Sequence, residues 1–168
     1  MNDEGFVEYG EKIKTALKII LNGTEEELQV FVQKFRDEFW ELPFEDIASP
    51  RSINGLDDYE DSNSIYKSGT PIQVKGALVF NHYIKEKGLE NKIELIQNGN
   101  KIKYCYLTVP NPVRCTVIST PGRLPPELGL ETYLNRDLQF NKSFLSPVQS
   151  LTQLVGWSTN KTSSLGSF

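Results

Sequence analysis

The chain has 168 residues, a net charge of −4, and 38% hydrophobic with 11% aromatic residues, enough for a folded core and too much for wholesale disorder. No apolar run approaches the ~20 residues of a membrane span, and the acidic start MNDEGFVEYG is unlike a signal peptide, so the expected compartment is a cytoplasm. The two cysteines, Cys105 and Cys115, lie in apolar, strand-like surroundings and read as half-buried reduced thiols, with little support for a disulfide or a metal site.

From about Val7 to Leu21, the residues Ile13, Ala16, Leu17, Ile20 and Leu21 recur at helical spacing, with Lys12, Lys14 and Lys18 off that stripe. Asn22-Gly23 ends the helix. Thr24 starts another, because Glu27 three residues on completes a capping box and the first-turn acids suit the helix dipole. Leu28, Phe31, Val32, Phe35, Phe39 and Leu42 form its apolar stripe, and Pro43 stops it. Two helices joined this tightly should pack as an antiparallel hairpin.

Residues 45–68 read as a long surface loop, marked by Asn54-Gly55 and clusters of Ser, Asp and Asn. The acids from Asp57 to Asp61 have no metal-ligand spacing and read as a solvated run. Thr70 is the expected N-cap of a third helix, with Pro71 first in it, Lys87 near its end and Gly88 as its stop. Ile93–Ile96 and Ile102–Val109 flank Asn98-Gly99, a hairpin signal. Val113–Ser119 is a further β-rich run, and TPGRLPPELG a proline-rich connector. A mixed helical stretch over Leu130–Leu145 should break at Pro147, followed by a short helix near Val148–Trp157 and a polar tail, STNKTSSLGSF, expected to be disordered alone.

Charge is unevenly placed. Residues 1–66 carry 16 acids and 6 bases, residues 67–123 carry 3 acids and 9 bases, and residues 124–168 carry 3 of each. A basic middle of this kind can bind phosphate whatever the total charge. Chemistry for an independent enzyme is missing. His82 is the only histidine and lies mid-helix; there is no G-x-S-x-G elbow, no phosphate-binding G-x-x-x-x-G-K-[ST] and no dinucleotide fingerprint. No catalytic residue, metal site or cofactor is expected.

The stretch KSGTPIQVKGALVFN admits two readings: ordinary helix initiation, slightly favoured locally, or a phosphate cradle at a helix start flanked by Lys67 and Lys75. Gly69 allows close backbone approach, and Gly76 keeps one helix face thin.

Together with FEDIASPRSINGLDDY before it, KSGTPIQVKGALVFNHYI resembles the C-terminal thumb region of family B DNA polymerases from T-even-like tailed phages. The shared order is Ile47-Ala48-Ser49, the Asn54 to Tyr59 loop, and the Lys67 to Asn81 helix start. F-N-K-S-F-L-S-P follows later, with Lys142, Phe144 and Pro147. The resemblance implies an α+β fold: a helical hairpin plus a third helix, a small antiparallel β subdomain and a C-terminal helix. It implies a thumb-like duplex-binding domain over residues 1–157, with a β-rich insertion at about 90–124, and a flexible clamp-binding tail over 158–168. Such a thumb grips primer–template duplex without reading sequence. Carried over, the DNA-contacting set is Ser49, Arg51, Ser52, Asn54, Tyr59, Lys67, Thr70, Lys75 and Lys142. The acids Asp57, Asp58, Glu60 and Asp61 depart from the pattern, which has basic or neutral residues there. Leu165 and Phe168 keep the L-x-x-F spacing of a sliding-clamp peptide, although Thr162 stands where glutamine is expected. The implied partners are duplex DNA, the remainder of the polymerase (palm, fingers and exonuclease) and the sliding clamp, in the host bacterial cytoplasm. The polymerase and exonuclease aspartates lie upstream of this region, so a non-catalytic fragment or split subunit is expected. The alternative is a protein-interaction adaptor without DNA binding; an independent duplex-binding protein comes third.

Overall fold

In the computed structural model, which describes residues 7–161, the elements follow in order α1 (Tyr9–Asn22), α2 (Glu25–Phe39), α3 (Phe44–Ile47), β1 (Ser49–Ser52) and α4 (Ile72–Glu86). Then come β2 (Lys101–Tyr106), β3 (Val117–Thr120), α5 (Arg136–Phe140) and α6 (Ser146–Thr152). The fold is α+β, as expected. The chain divides into two compact units, residues 7–42 with 136–161 and residues 43–135.

In the first unit, the capping box forms as its residues dictate. The Glu27 N–H donates to Thr24 Oγ1 at 3.1 Å, and the Thr24 N–H donates to Glu27 Oε1 at 2.8 Å. The stripe of α2 buries Leu28, Val32, Phe35 and Phe39. Phe35 lies at the centre of a ring cluster, 5.8 Å from Phe39, 5.3 Å from Phe140 and 4.8 Å from Phe144. Lys12 lies 4.7 Å over the Phe35 ring and Arg36 lies 4.7 Å over Phe140, so long basic chains close the cluster against water. Arg136 donates to the carbonyls of Phe39 and Leu42, which satisfies the end of α2.

Two expectations for this unit change. Pro147 does not break the last helical stretch: α5 runs through a π-helical segment, Asn141–Leu145, directly into α6. The Ser146 N–H reaches the carbonyl of Asn141, five residues back. That wider turn lies where Pro147 would otherwise crowd the carbonyl of Ser143. The polar stretch from Ser158 is also fixed at its start. The Ser158 N–H donates to Glu25 Oε2 at 2.7 Å, and the Gln29 amide donates to the carbonyls of Ser158 and Asn160 at 3.0 and 3.1 Å. Thr159 is buried. Leu165 and Phe168 lie outside the described residues.

In the second unit, the three strands form one antiparallel sheet in the order β1-β2-β3. The expected hairpin between 93–96 and 102–109 is not made. Asn98-Gly99 does turn the chain, with Gly99 at φ 88°, but β2 pairs with Ser49–Ser52 from the stretch expected to be loop. The reason is visible at Ile96. Asn81, on α4, donates its amide to the Ile96 carbonyl at 2.9 Å and accepts the Ile96 N–H at 2.8 Å, so a helix side chain occupies the backbone groups a strand partner would need. Ile53 then closes the turn: its N–H donates to Asn100 at 2.9 Å, and its carbonyl accepts from Gly99 at 2.8 Å.

Helix α4 packs on β3 through Gly76. A Cβ there would lie 2.7 Å from the Ser119 nitrogen and 3.0 Å from the Ile118 carbonyl carbon, both backbone atoms. The Ser119 hydroxyl donates to the Gln73 carbonyl across the same contact, at 2.8 Å. Ile47, Ile53, Phe80, Ile84, Ile96, Ile102 and Leu107 form the core. Cys105 and Cys115 are buried thiols not joined in a disulfide, further inside than half-buried.

Candidate nucleic-acid interface

Ser49-Pro50-Arg51-Ser52 lacks apolar alternation because it is the edge of the sheet. In register, Ser49 faces Tyr104, Arg51 faces Ile102 and Ser52 faces Lys101. Directly opposed residues share a face, so Ser52 and Lys101 stand together, as do Arg51 and Ile102. Ile53 bonds inward to Asn100 and Gly99. The two-residue alternation therefore turns the backbone groups of Ser52 and Asn54 towards the open edge. Arg51, Ser52 and Asn54 are exposed, and Ser49 is buried.

After Asn54, Gly55 at φ 72° swings the chain into a 3-10 turn, Leu56–Tyr59. The Leu56 N–H donates to Asn98 Oδ1 at 2.6 Å. Tyr59 is half-buried, and its carbonyl accepts the Lys67 N–H at 2.9 Å, closing the loop between them. Asp57, Asp58 and Glu60 are exposed. Asp61 accepts the Asn63 N–H at 3.2 Å and the Ser64 hydroxyl at 2.9 Å. Those bonds, with a smaller contribution from the Lys67 charge, hold its carboxyl below the usual range.

Thr70 is not the N-cap. Its hydroxyl turns back and donates to the Lys67 carbonyl at 2.6 Å, closing a tight K-S-G-T turn that Gly69 makes possible at φ 81°. Thr70 is buried, and Pro71 occupies the cap position with no side-chain bond. The first helical N–H to find its carbonyl is that of Lys75, on Pro71 at 2.8 Å, so the N–H groups of the preceding turn have no intrahelical acceptor. The hydroxyl that helix initiation would use is committed to shaping the turn.

Each cation of the expected set has a distinct environment. Lys67 is exposed and forms no ion pair among the described residues. Lys75 is half-buried, with its ammonium 5.0 Å from the Tyr66 ring centre. The Tyr66 hydroxyl lies 3.8 Å from Cys115 Sγ, and burial, then that contact, pushes its phenol up, so the ring is neutral at ordinary pH. The Arg51 guanidinium lies 5.6 Å over the Tyr104 ring. Lys142 is exposed on the π segment, in the other unit. All the remaining candidates lie within residues 43–135. Lys101 was missed by the sequence reading; only the β1–β2 register, hidden by the misassigned hairpin, places it beside Ser52.

The chain is similar to a phage DNA polymerase. Over 160 residues it is 24% identical to the DNA-directed DNA polymerase of Enterobacteria phage T4. The match covers 92% of this chain but 17% of the T4 enzyme, so the chain spans about a sixth of that relative's length. No family model matches the chain. At this identity the relation to the T4 polymerase is distant. Among the described residues, no helix is long and apolar enough to cross a membrane, and no group of His, Cys, Asp and Glu side chains is arranged to hold a metal ion.

Proposed function

We propose that the chain is the thumb-like, non-catalytic portion of a phage replicative DNA polymerase, gripping primer–template duplex through its sugar-phosphate backbone. The observation that carries this reading is the similarity of nearly the whole chain to a sixth of the T4 polymerase. Within residues 43–135, Arg51, Lys67 and Lys75 supply positive charge, and Ser52 and Asn54 supply exposed polar groups at the open edge of β1. Phosphate contacts of these kinds position a duplex without reading its sequence. Lys101 joins the set, Lys142 contributes from the helical unit, and Ser49 and Thr70 act by shaping backbone. The partners are duplex DNA and the remainder of the polymerase, in the host cytoplasm. The tail from 158 carries a sliding-clamp peptide anchored by Leu165 and Phe168, whose removal should abolish clamp binding and leave DNA binding intact.

Titrating the chain with mixed-sequence duplex across a salt series tests the reading. Affinity should fall log-linearly with salt, and Lys67→Ala with Lys75→Ala should lower the slope by about 1 to 2 phosphate contacts. An unchanged slope removes these lysines from the interface. Absence of salt-sensitive binding even at low ionic strength favours a protein-interaction adaptor.

A further inference from the structure

Two of the four cations assigned to the duplex within residues 43–135, Lys75 and Arg51, rest on tyrosine rings. The Lys75 ammonium lies 5.0 Å from the Tyr66 ring centre, and the Arg51 guanidinium 5.6 Å from that of Tyr104. Each ring is itself held. The Tyr66 hydroxyl contacts the buried Cys115 sulfur at 3.8 Å, and Tyr104 is buried with its ring 6.0 Å from Tyr106 in an edge-on arrangement. Lys67 and Lys101 have no such support, and no carboxylate pairs with any of the four among the described residues.

The choice of ring over carboxylate matters chemically. A carboxylate would fix a lysine equally well, but it would neutralise the charge and occupy the N–H donors a phosphate needs. A ring face attracts the cation through its quadrupole and leaves the charge intact. It also pays in advance the rotamer entropy that an unsupported lysine loses when it binds.

We infer that Tyr66 and Tyr104 are positioning residues of the phosphate-binding surface, holding Lys75 and Arg51 in place for the backbone of a nucleic-acid duplex. The inference rests on the duplex-gripping reading above. Arg51 and Lys75 then make contacts fixed in space, whereas Lys67 supplies a diffuse field.

The test is a double-mutant cycle on the full chain, read by titration with fluorescently labelled mixed-sequence duplex at low salt. Tyr66→Leu should weaken binding about two- to five-fold, the range of an exposed cation–ring contact. Tyr66→Phe keeps the ring and should bind as the parent does. In a Lys75→Ala background, Tyr66→Leu should cost nothing further. If Tyr66→Phe loses as much as Tyr66→Leu, or if Tyr66→Leu costs as much without Lys75 as with it, the ring does not act through the lysine and the inference falls. Lys75→Ala separates the two levels. If it leaves affinity and salt slope unchanged, Lys75 is not in the interface; if it weakens binding and Tyr66→Leu does not, only the positioning role fails. Should Tyr66→Leu unfold, the Lys75 ε-proton resonances of the parent chain decide: an upfield ring-current shift retained in Tyr66→Phe is expected, and its absence overturns the inference.

Discussion

The helical unit and the sheet-bearing unit are held together by different means. In the first, the rings of Phe31, Phe35, Phe39, Phe140 and Phe144 form a continuous aromatic cluster contributed by α2, α5 and the π segment. In the second, asparagine side chains meet backbone groups that no strand partner reaches. Asn81 takes both backbone groups of Ile96, Asn98 takes the N–H of Leu56, and Asn111 donates to the carbonyls of Thr108 and Cys115, each at 2.8 Å. Ring packing tolerates small shifts, because dispersion and area burial are non-directional. A buried amide bonded in two directions does not, because losing it leaves backbone groups desolvated and unpaired. Stability in the first unit should therefore scale with apolar volume, and in the second with specific pairs.

Four substitutions would sharpen or break that contrast. Phe35→Ala should cost most, about 3–5 kcal/mol, since the ring is fully buried and touches three others; urea denaturation followed by circular dichroism measures it. Asn81→Ala should cost about 1–3 kcal/mol by leaving the Ile96 N–H and carbonyl without their partner. Amide exchange should quicken at Ile96, and a neutral outcome would mean that water replaces the side chain without penalty. Gly76→Ala should destabilise by about 1–2 kcal/mol, because overpacking against β3 outweighs the helix-propensity gain of about 1 kcal/mol. A rise in melting temperature would show that α4 can retreat from Ser119. Thr24→Ala should cost least, about 1 kcal/mol, through the capping box. If its cost exceeded that of Asn81→Ala, the sheet unit would not depend on its amides in the way argued.

Legibility in the sequence followed the same division. The hairpin of α1 and α2, its capping box and most of the α2 stripe are periodic or local, so they could be read directly; the α1 stripe could not, since Leu17 and Leu21 are exposed and only Ala16 is buried. The edge strand could not: Ser-Pro-Arg-Ser has no alternating apolar face, and its partner lies about fifty residues away at Lys101 to Tyr104. Asn98-Gly99 correctly signalled a turn but gave no information on which segments it joins. Thr70 misled because a threonine before a proline suits either an N-cap or a turn, and only the position of the Lys67 carbonyl decides between them. Lys67 and Lys75 stand out by charge, but the ring beneath Lys75 does not, since Tyr66 and Lys75 are too far apart in sequence for a local pairing rule.

The bonds around Asn98 have a mechanical consequence. Asn81 grips Ile96; the turn that follows is tied by the Gln97 N–H to Asn100 Oδ1 at 2.8 Å; and Asn98 grips Leu56. A short strut thus runs from the middle of α4 to the turn just after Asn54. The helix that carries Lys75 is thereby bonded, through Ile96 and Asn98, to the turn that follows the edge carrying Ser52 and Asn54. On the proposed function, the two places would engage and release a duplex in concert, as the jaws of one clasp.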